Sequence, residues 1–479
     1  MSNAVLSRNY SIILKSFLSY LPSRLLVILN ALFIVPVFAY FLSAQEMSVF
    51  QICIGILNFV CTISTDWIAK SVLRFYEKYK YSGETNKFFS SVMLFEIFIL
   101  GIIFITYFFL KDIVVEKFYI SQEVFLITLI LVIPCGIRQL MYQMLRILRK
   151  TVLYTLSIII YQFTLLVLFF AFSRFLPNVI ALLTSMTIGI CFIDFLILYQ
   201  VQLKEKLTFH IDKEILKTLL IYAIPMLITN VCIWLIFNFG RFAFQMNKDF
   251  ISTAVIGTAW FFVSSALTPL FSLLMFAIFP LIVRRFEKKY KIKEFMASVL
   301  NSYIVMFLPL VCIFVFYSFD IAKLAFKSEY NSLGILFPFC AATIFVHEFM
   351  KLMNTKYHLK NKTYIETLIS LFVAIICVVM NIVLIKLFGI IGFGFSMLTS
   401  LILLLLLNSL VKFKYMNYLA PKKIFQCLFF SFTSAVISYL ILQGVFFKLH
   451  NNYITIVKIL FFLVIYLLIV RQFRKYIFV

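Results

Sequence analysis

The sequence predicts an all-α integral membrane protein of about fourteen transmembrane helices, on three observations. Apolar stretches of about twenty residues or more follow one another from Ser11 to the C-terminus. Charged residues make up only 13% of the chain against 64% hydrophobic, and the mean hydropathy is +1.06. Lys and Arg fall in the breaks between stretches, mostly in every second break. A soluble core cannot use so much apolar sequence. A bilayer can, because a spanning helix of about 20 residues satisfies its own backbone hydrogen bonds.

The spans read, in order, at 11–42, 46–70, 88–110, 121–146, 151–173, 178–203, 214–246, 251–284, 296–318, 330–355, 363–386, 390–412, 421–447 and 453–472. The first is too long for a signal-peptide core and no small-residue cleavage site follows it, so it is expected to stay as a helix. Placing both termini and the even-numbered loops on one side gathers roughly 31 basic residues there, against about 9 on the other. Clusters such as Arg74, Lys78 and Lys80, or Arg284, Arg285 and Lys288, make that side cytoplasmic. The net charge of +24 then reads as a topology signal beside anionic headgroups, with no nucleic acid as partner. The outward loops near 111–123 and 319–330 are too short to fold as domains, which leaves no soluble catalytic module.

The nine cysteines sit in apolar runs without a CxxC, so they read as small buried hydrophobes, with no metal or cofactor site. Eight of the ten prolines fall inside spans, where they free backbone carbonyls. His347-Glu348 lacks the second histidine of a zinc-protease helix, since Lys351 stands in its place. Gly389, Gly392 and Gly394 follow no strand and read as a turn and a close helix start. No catalytic residues are expected.

Two local echoes suggest an internal repeat. Ile13-Leu14-Lys15-Ser16-Phe17-Leu18-Ser19-Tyr20 opens the first span and Ile215-Leu216-Lys217-Thr218-Leu219-Leu220-Ile221-Tyr222 the seventh, each with a proline close behind. Arg74-Phe75-Tyr76-Glu77-Lys78 at the second span's exit matches Arg285-Phe286-Glu287-Lys288 at the eighth. Both offsets equal six spans, which puts the copies in the same orientation. The expected division is a six-helix lobe over 1–203, a second over 214–412, and two added helices with a tail over 421–479.

Ionisable residues left inside spans are costly and mark cavities, partners or pathways. Arg24, Arg138 and Arg241 are the basic candidates, with a structural ion pair as the plain alternative for Arg24 and snorkelling toward an interface for the other two. Asp66, Glu96, Asp194 and Glu348 are candidates for carrying a proton or Na+. For Asp66 the plain alternative is an (i, i+4) pair with Lys70.

Four segments carry a resemblance: VPVFAYFLSAQEMSVFQ, DWIAKSVLRFYEKY, AVIGTAWFFVSSALTPLFSLLMFAIFPLIVRRFEK and MNIVLIKLFGIIGFGFSMLTSLI. In their order they resemble the bacterial O-antigen and capsule repeat-unit flippases of the multidrug/oligosaccharidyl-lipid/polysaccharide exporter superfamily. The resemblance implies an undecaprenyl-diphosphate-linked oligosaccharide moved from the cytoplasmic to the outer leaflet of the inner membrane. It further implies alternating access, an ion or potential as driving force, and polysaccharide polymerase and assembly proteins as partners. Arg24, Arg138 and Arg241 suit a diphosphate, which arginine binds bidentately. The chain departs from the pattern where Asn238, not Asp, precedes Arg241, and where Phe393 and Phe395 replace small residues. A multidrug or cation exporter of the same superfamily, or a polytopic polysaccharide polymerase, is the alternative. The first should need acidic cavity residues more than arginines, the second a large outward loop.

Overall fold

A computed structural model of the protein describes residues 32–148, 150–205, 211–287, 292–360 and 362–411, with isolated positions between 25 and 29 and between 429 and 466. All regular structure among them is helical. Among the described residues, ten helices are long and apolar enough to cross a membrane. They are α2 (Ala44–Ser64), α4 (Thr85–Phe109), α6 (Gln122–Ile147), α7 (Thr151–Phe172), α8 (Asn178–Glu205), α9 (Lys213–Met246), α10 (Phe250–Glu287), α11 (Ile292–Phe316), α13 (Leu333–Leu359) and α14 (Thr363–Leu410). Four are shorter: α1 (Leu32–Phe41), α3 (Asp66–Tyr81), α5 (Lys111–Phe118) and α12 (Ser318–Ala325). The chain is a multi-pass membrane protein. The spans expected at 421–447 and 453–472, and most of the one at 11–42, lie outside the described residues.

Two loops that were expected to face outward contain helices that hydropathy did not disclose. α5 ends at Tyr119 in the left-handed conformation (φ 53°). α12 packs on α13 and buries Ile321 and Ala322. Eight residues give too little periodicity to stand out from a loop.

The chain divides into two compact units. One holds 37–257 and 363–379. In it, α8 lies along α6 and α7, α6 also packs on α2 and α4, and α9 runs beside α2 and α3. Local chemistry sets the helix starts. Ser43 and Glu46 form a capping box at α2: the Ser43 hydroxyl accepts from the Glu46 amide at 3.2 Å and the Ser43 amide donates to Glu46 Oε2 at 2.9 Å. Asp212 accepts from the amides of Glu214 and Ile215 at α9. The expected second span is interrupted: α2 passes into α3 through Thr65 (φ −103°, ψ −42°). Glycine lets helices approach closely. A Cβ on Gly136 would lie 2.5 Å from Leu100 of α4, and one on Gly257 would lie 2.4 Å from Gln51 of α2. The first turns of α14 join this unit, where Thr367 donates to the Pro225 carbonyl at 2.8 Å.

The other unit holds the described residues of 25–36, 258–362 and 380 onward. Here α11 packs on α13. The buried Tyr303 hydroxyl donates to the Phe345 carbonyl at 2.8 Å, and Phe271 and Phe307 pack against the Tyr303 ring. Phe395 meets Phe339 at 4.9 Å between ring centroids, and Phe393 is buried.

The long α14 contains both spans read at 363–386 and 390–412. Gly389 (φ 56°, ψ −132°) interrupts it. Across that point Ser396 donates to Asn381 Oδ1 at 2.6 Å, although a straight helix would hold residues fifteen apart at roughly 22 Å. The chain therefore doubles back as a helical hairpin.

Candidate functional site

Five of the expected residues fall in the 37–257 unit, and four of them form two adjoining polar groups. The first group lies between α6, α7 and α8. Arg138 sits on α6, nine residues or roughly 14 Å before its end. Its side chain is half-buried, and the guanidinium lies 4.8 Å over the Tyr161 ring of α7 and hydrogen-bonds that side chain. Gly189 of α8 faces the ring, and a Cβ there would meet it in ordinary van der Waals contact at 3.4 Å. Asp194, on α8, is 6% exposed. Both its oxygens are buried without a hydrogen-bond partner among the described residues, and Arg138 is the cation that acts on it.

The second group surrounds the α2–α3 junction. Glu96 of α4 is 1% exposed. The Thr65 hydroxyl donates to Glu96 Oε1 and lies 3.4 Å from the Gly136 carbonyl of α6. Glu96 Oε2 is buried without a partner among the described residues. Asp66 follows Thr65 and accepts from Gln139 Nε2 at 3.0 Å. Asp66 and Glu96 repel one another, and Cys61 of α2 feels Asp66, Glu96 and Arg138 together, so the two groups adjoin.

Arg241 lies apart from them. It is 2% exposed, and its Nη1 donates to the Gln51 carbonyl of α2 at 3.4 Å. Gly55 admits this approach, because a Cβ there would sit 2.9 Å from the Phe242 ring and 3.6 Å from Arg241 Cδ. Such burial separates Arg241 from a snorkelling side chain. Asn238, in place of the expected Asp, donates to the Trp234 carbonyl at 2.8 Å.

Glu348 belongs to the other unit. Its Oε1 pairs with Lys351 Nζ at 2.6 Å and lies 3.9 Å from His347 Nδ1. Lys356, one face further along α13, is buried and donates to the Asn408 and Val411 carbonyls at 2.5 and 2.9 Å. It covers the carbonyl end of α14, where a cation is favoured. Arg24 lies outside the described residues.

Sequence reading missed the uncharged partners Tyr161, Thr65, Gln139 and Gln51. Each is a polar side chain in an apolar run, a weaker signal than charge but a visible one. Among the described residues no group of three or more His, Cys, Asp or Glu could hold a metal ion.

No protein-family model matches the sequence, and no curated protein does. Solved structures do match. The structure entitled lipid II flippase MurJ, inward closed conformation, superposes with a TM-score of 0.69 at 15% identity, over 96% of this chain and 99% of that one. This chain has the fold of the multidrug/oligosaccharidyl-lipid/polysaccharide exporter superfamily. An inward-facing multidrug resistance MATE transporter of that superfamily matches with a TM-score of 0.59 at 12% identity, over 81% and 97% of the two chains. The eukaryotic MATE transporter AtDTX14 matches with a TM-score of 0.59 at 10% identity, over 87% and 97%. These exporter-fold neighbours are transporters and a flippase, not enzymes.

Proposed function

We propose that the protein is a flippase that moves undecaprenyl-diphosphate-linked oligosaccharide repeat units from the cytoplasmic to the outer leaflet by alternating access. The observation that carries this reading is a half-buried arginine, Arg138, held among α6, α7 and α8 of an exporter fold with its guanidinium over the Tyr161 ring. A diphosphate needs such a cation, and arginine meets it with a fork of donors. Arg241 and Arg24 are its proposed companions. The likeness in fold to a lipid II flippase over nearly the whole chain supports a lipid-linked substrate.

The proposed frame is two six-helix lobes, 1–203 and 214–412, with 421–479 as added helices beside which the lipid tail can stay in hydrocarbon. Both termini then face the cytoplasm of the bacterial inner membrane, as the charge asymmetry requires. An inside-negative potential favours outward movement of an anion by roughly 2.3 kcal/mol per charge per 100 mV. Asp66, Glu96, Asp194 and Glu348 are the proposed ion-coupling groups, with H+ or Na+ as the ion. Polysaccharide polymerase and assembly proteins are proposed partners downstream.

The buried carboxylates favour one second reading, a cation exporter of the same fold. Deleting the gene and analysing surface glycan and lipid-linked intermediates separates the two. Flippase loss abolishes the glycan and leaves single repeat units facing the cytoplasm. An intact glycan with raised sensitivity to cationic drugs would establish the exporter instead.

A further inference from the structure

Asp194 poses a problem that the transport reading alone does not solve. An ionised carboxylate buried without any donor is strongly disfavoured, whereas the neutral acid is tolerated far better. Arg138 is the cation that acts on Asp194, yet it rests on the Tyr161 ring and pairs with neither Asp194 oxygen. An ionised Asp194 would thus lack any donor among the described residues in this arrangement, while Arg138, only partly buried, lies beside it.

We propose that Arg138 and Asp194 form a co-binding site for an anion and a proton, so that a phosphate-type headgroup is taken up together with one proton. The inference rests on the reading of Arg138 as an anion ligand. Two anions compete for one guanidinium. When Asp194 is ionised it draws Arg138 to itself. A proton from the aqueous phase forms the O–H bond of the Asp194 carboxyl, and Arg138 is then available to the headgroup oxygens. On release the same O–H bond breaks and the proton returns to water. The pair is neutral when empty and ionised, and neutral again when protonated and holding one anionic charge. A low-dielectric bundle favours these two neutral end states over a site that keeps a net charge.

The other groups facing this site do not compete for the role. Cys135 and Tyr142 on α6, Tyr161 on α7, Cys191 on α8 and Cys61 on α2 are thiols and phenols, which carry no charge near neutral pH in their ordinary state. Asp66 and Glu96 act on Cys61, but Asp66 already accepts from Gln139 and Glu96 from the Thr65 hydroxyl, and neither acts on Asp194.

The test uses the full chain in detergent, with inorganic sulfate as a probe whose charge does not change near neutral pH. Bound radiolabelled sulfate and proton uptake from weakly buffered solution are read together, as differences from Arg138→Gln. The expected result is about one proton taken up per Arg138-dependent sulfate. Asp194→Asn should still bind sulfate and take up none, while Asp194→Glu should keep the uptake and so exclude a packing effect. Arg138-dependent sulfate binding without proton uptake, or unchanged uptake in Asp194→Asn, overturns the co-binding and leaves Arg138 as an anion ligand. Equal sulfate binding by Arg138→Gln and the wild type removes Arg138 from the site altogether. Neither result bears on the glycan phenotype of the gene deletion, which tests the transport reading by itself.

Discussion

Thr65 shows how much a single hydroxyl can hold in this bundle. It stands between α2 and α3, donates to Glu96 of α4, and lies near the Gly136 carbonyl of α6. Thr65→Val keeps the shape and removes the donor. Leaving a buried carboxyl without its partner costs about 1–3 kcal/mol. The expected outcome is a lower melting temperature in detergent, largely restored in the Thr65→Val/Glu96→Leu double variant, where neither polar group remains. An additive loss in the double variant would show that the hydroxyl acts elsewhere. The charges at this scale were legible in the sequence, because an ionisable residue in an apolar run is conspicuous. Their partners were not. Tyr161 and Gln139 lie 23 and 73 residues from Arg138 and Asp66 respectively, and only packing brings them together. Lys351, by contrast, is one turn from Glu348, and the pair they form is the kind that helical spacing alone suggests.

Elements were legible where they are long and obscure where they are short. Hydropathy separates 363–386 from 390–412 because Gly389 and its neighbours interrupt the apolar run. The structure supplies the reason in backbone geometry, since φ 56° with ψ −132° is a region that only glycine adopts readily. Gly389→Ala should therefore cost about 1–3 kcal/mol and lower both yield and thermal stability of the purified protein. Gly101→Ala is the matched control, because a Cβ there meets nothing within 4 Å. Equal behaviour of the two variants would argue that the hairpin forms without the unusual torsion. α5 and α12 escaped notice for the opposite reason. Their eight residues each give no periodic signal, and α12 owes its burial to α13.

For the whole molecule, composition alone carried the fold class, and the exporter fold was legible in the order of four motifs that are each degenerate. The orientation rests on charge and is open to direct measurement. Cysteine placed at the exposed Ser82, between α3 and α4, should react with a membrane-impermeant maleimide only after permeabilisation. Cysteine at the exposed Glu116 on α5 should react in intact cells. Reaction of both from outside would overturn the assignment of the basic loops to the cytoplasm. The Gly389 reversal bears on this measurement through parity. Forty-eight residues of uninterrupted helix would reach roughly 72 Å, more than twice the hydrocarbon thickness of about 30 Å. Folded at Gly389, the same residues make an even number of crossings and return the chain to the face it left. On that parity the expected topology puts the break before 363 and the break after 412 on one and the same face.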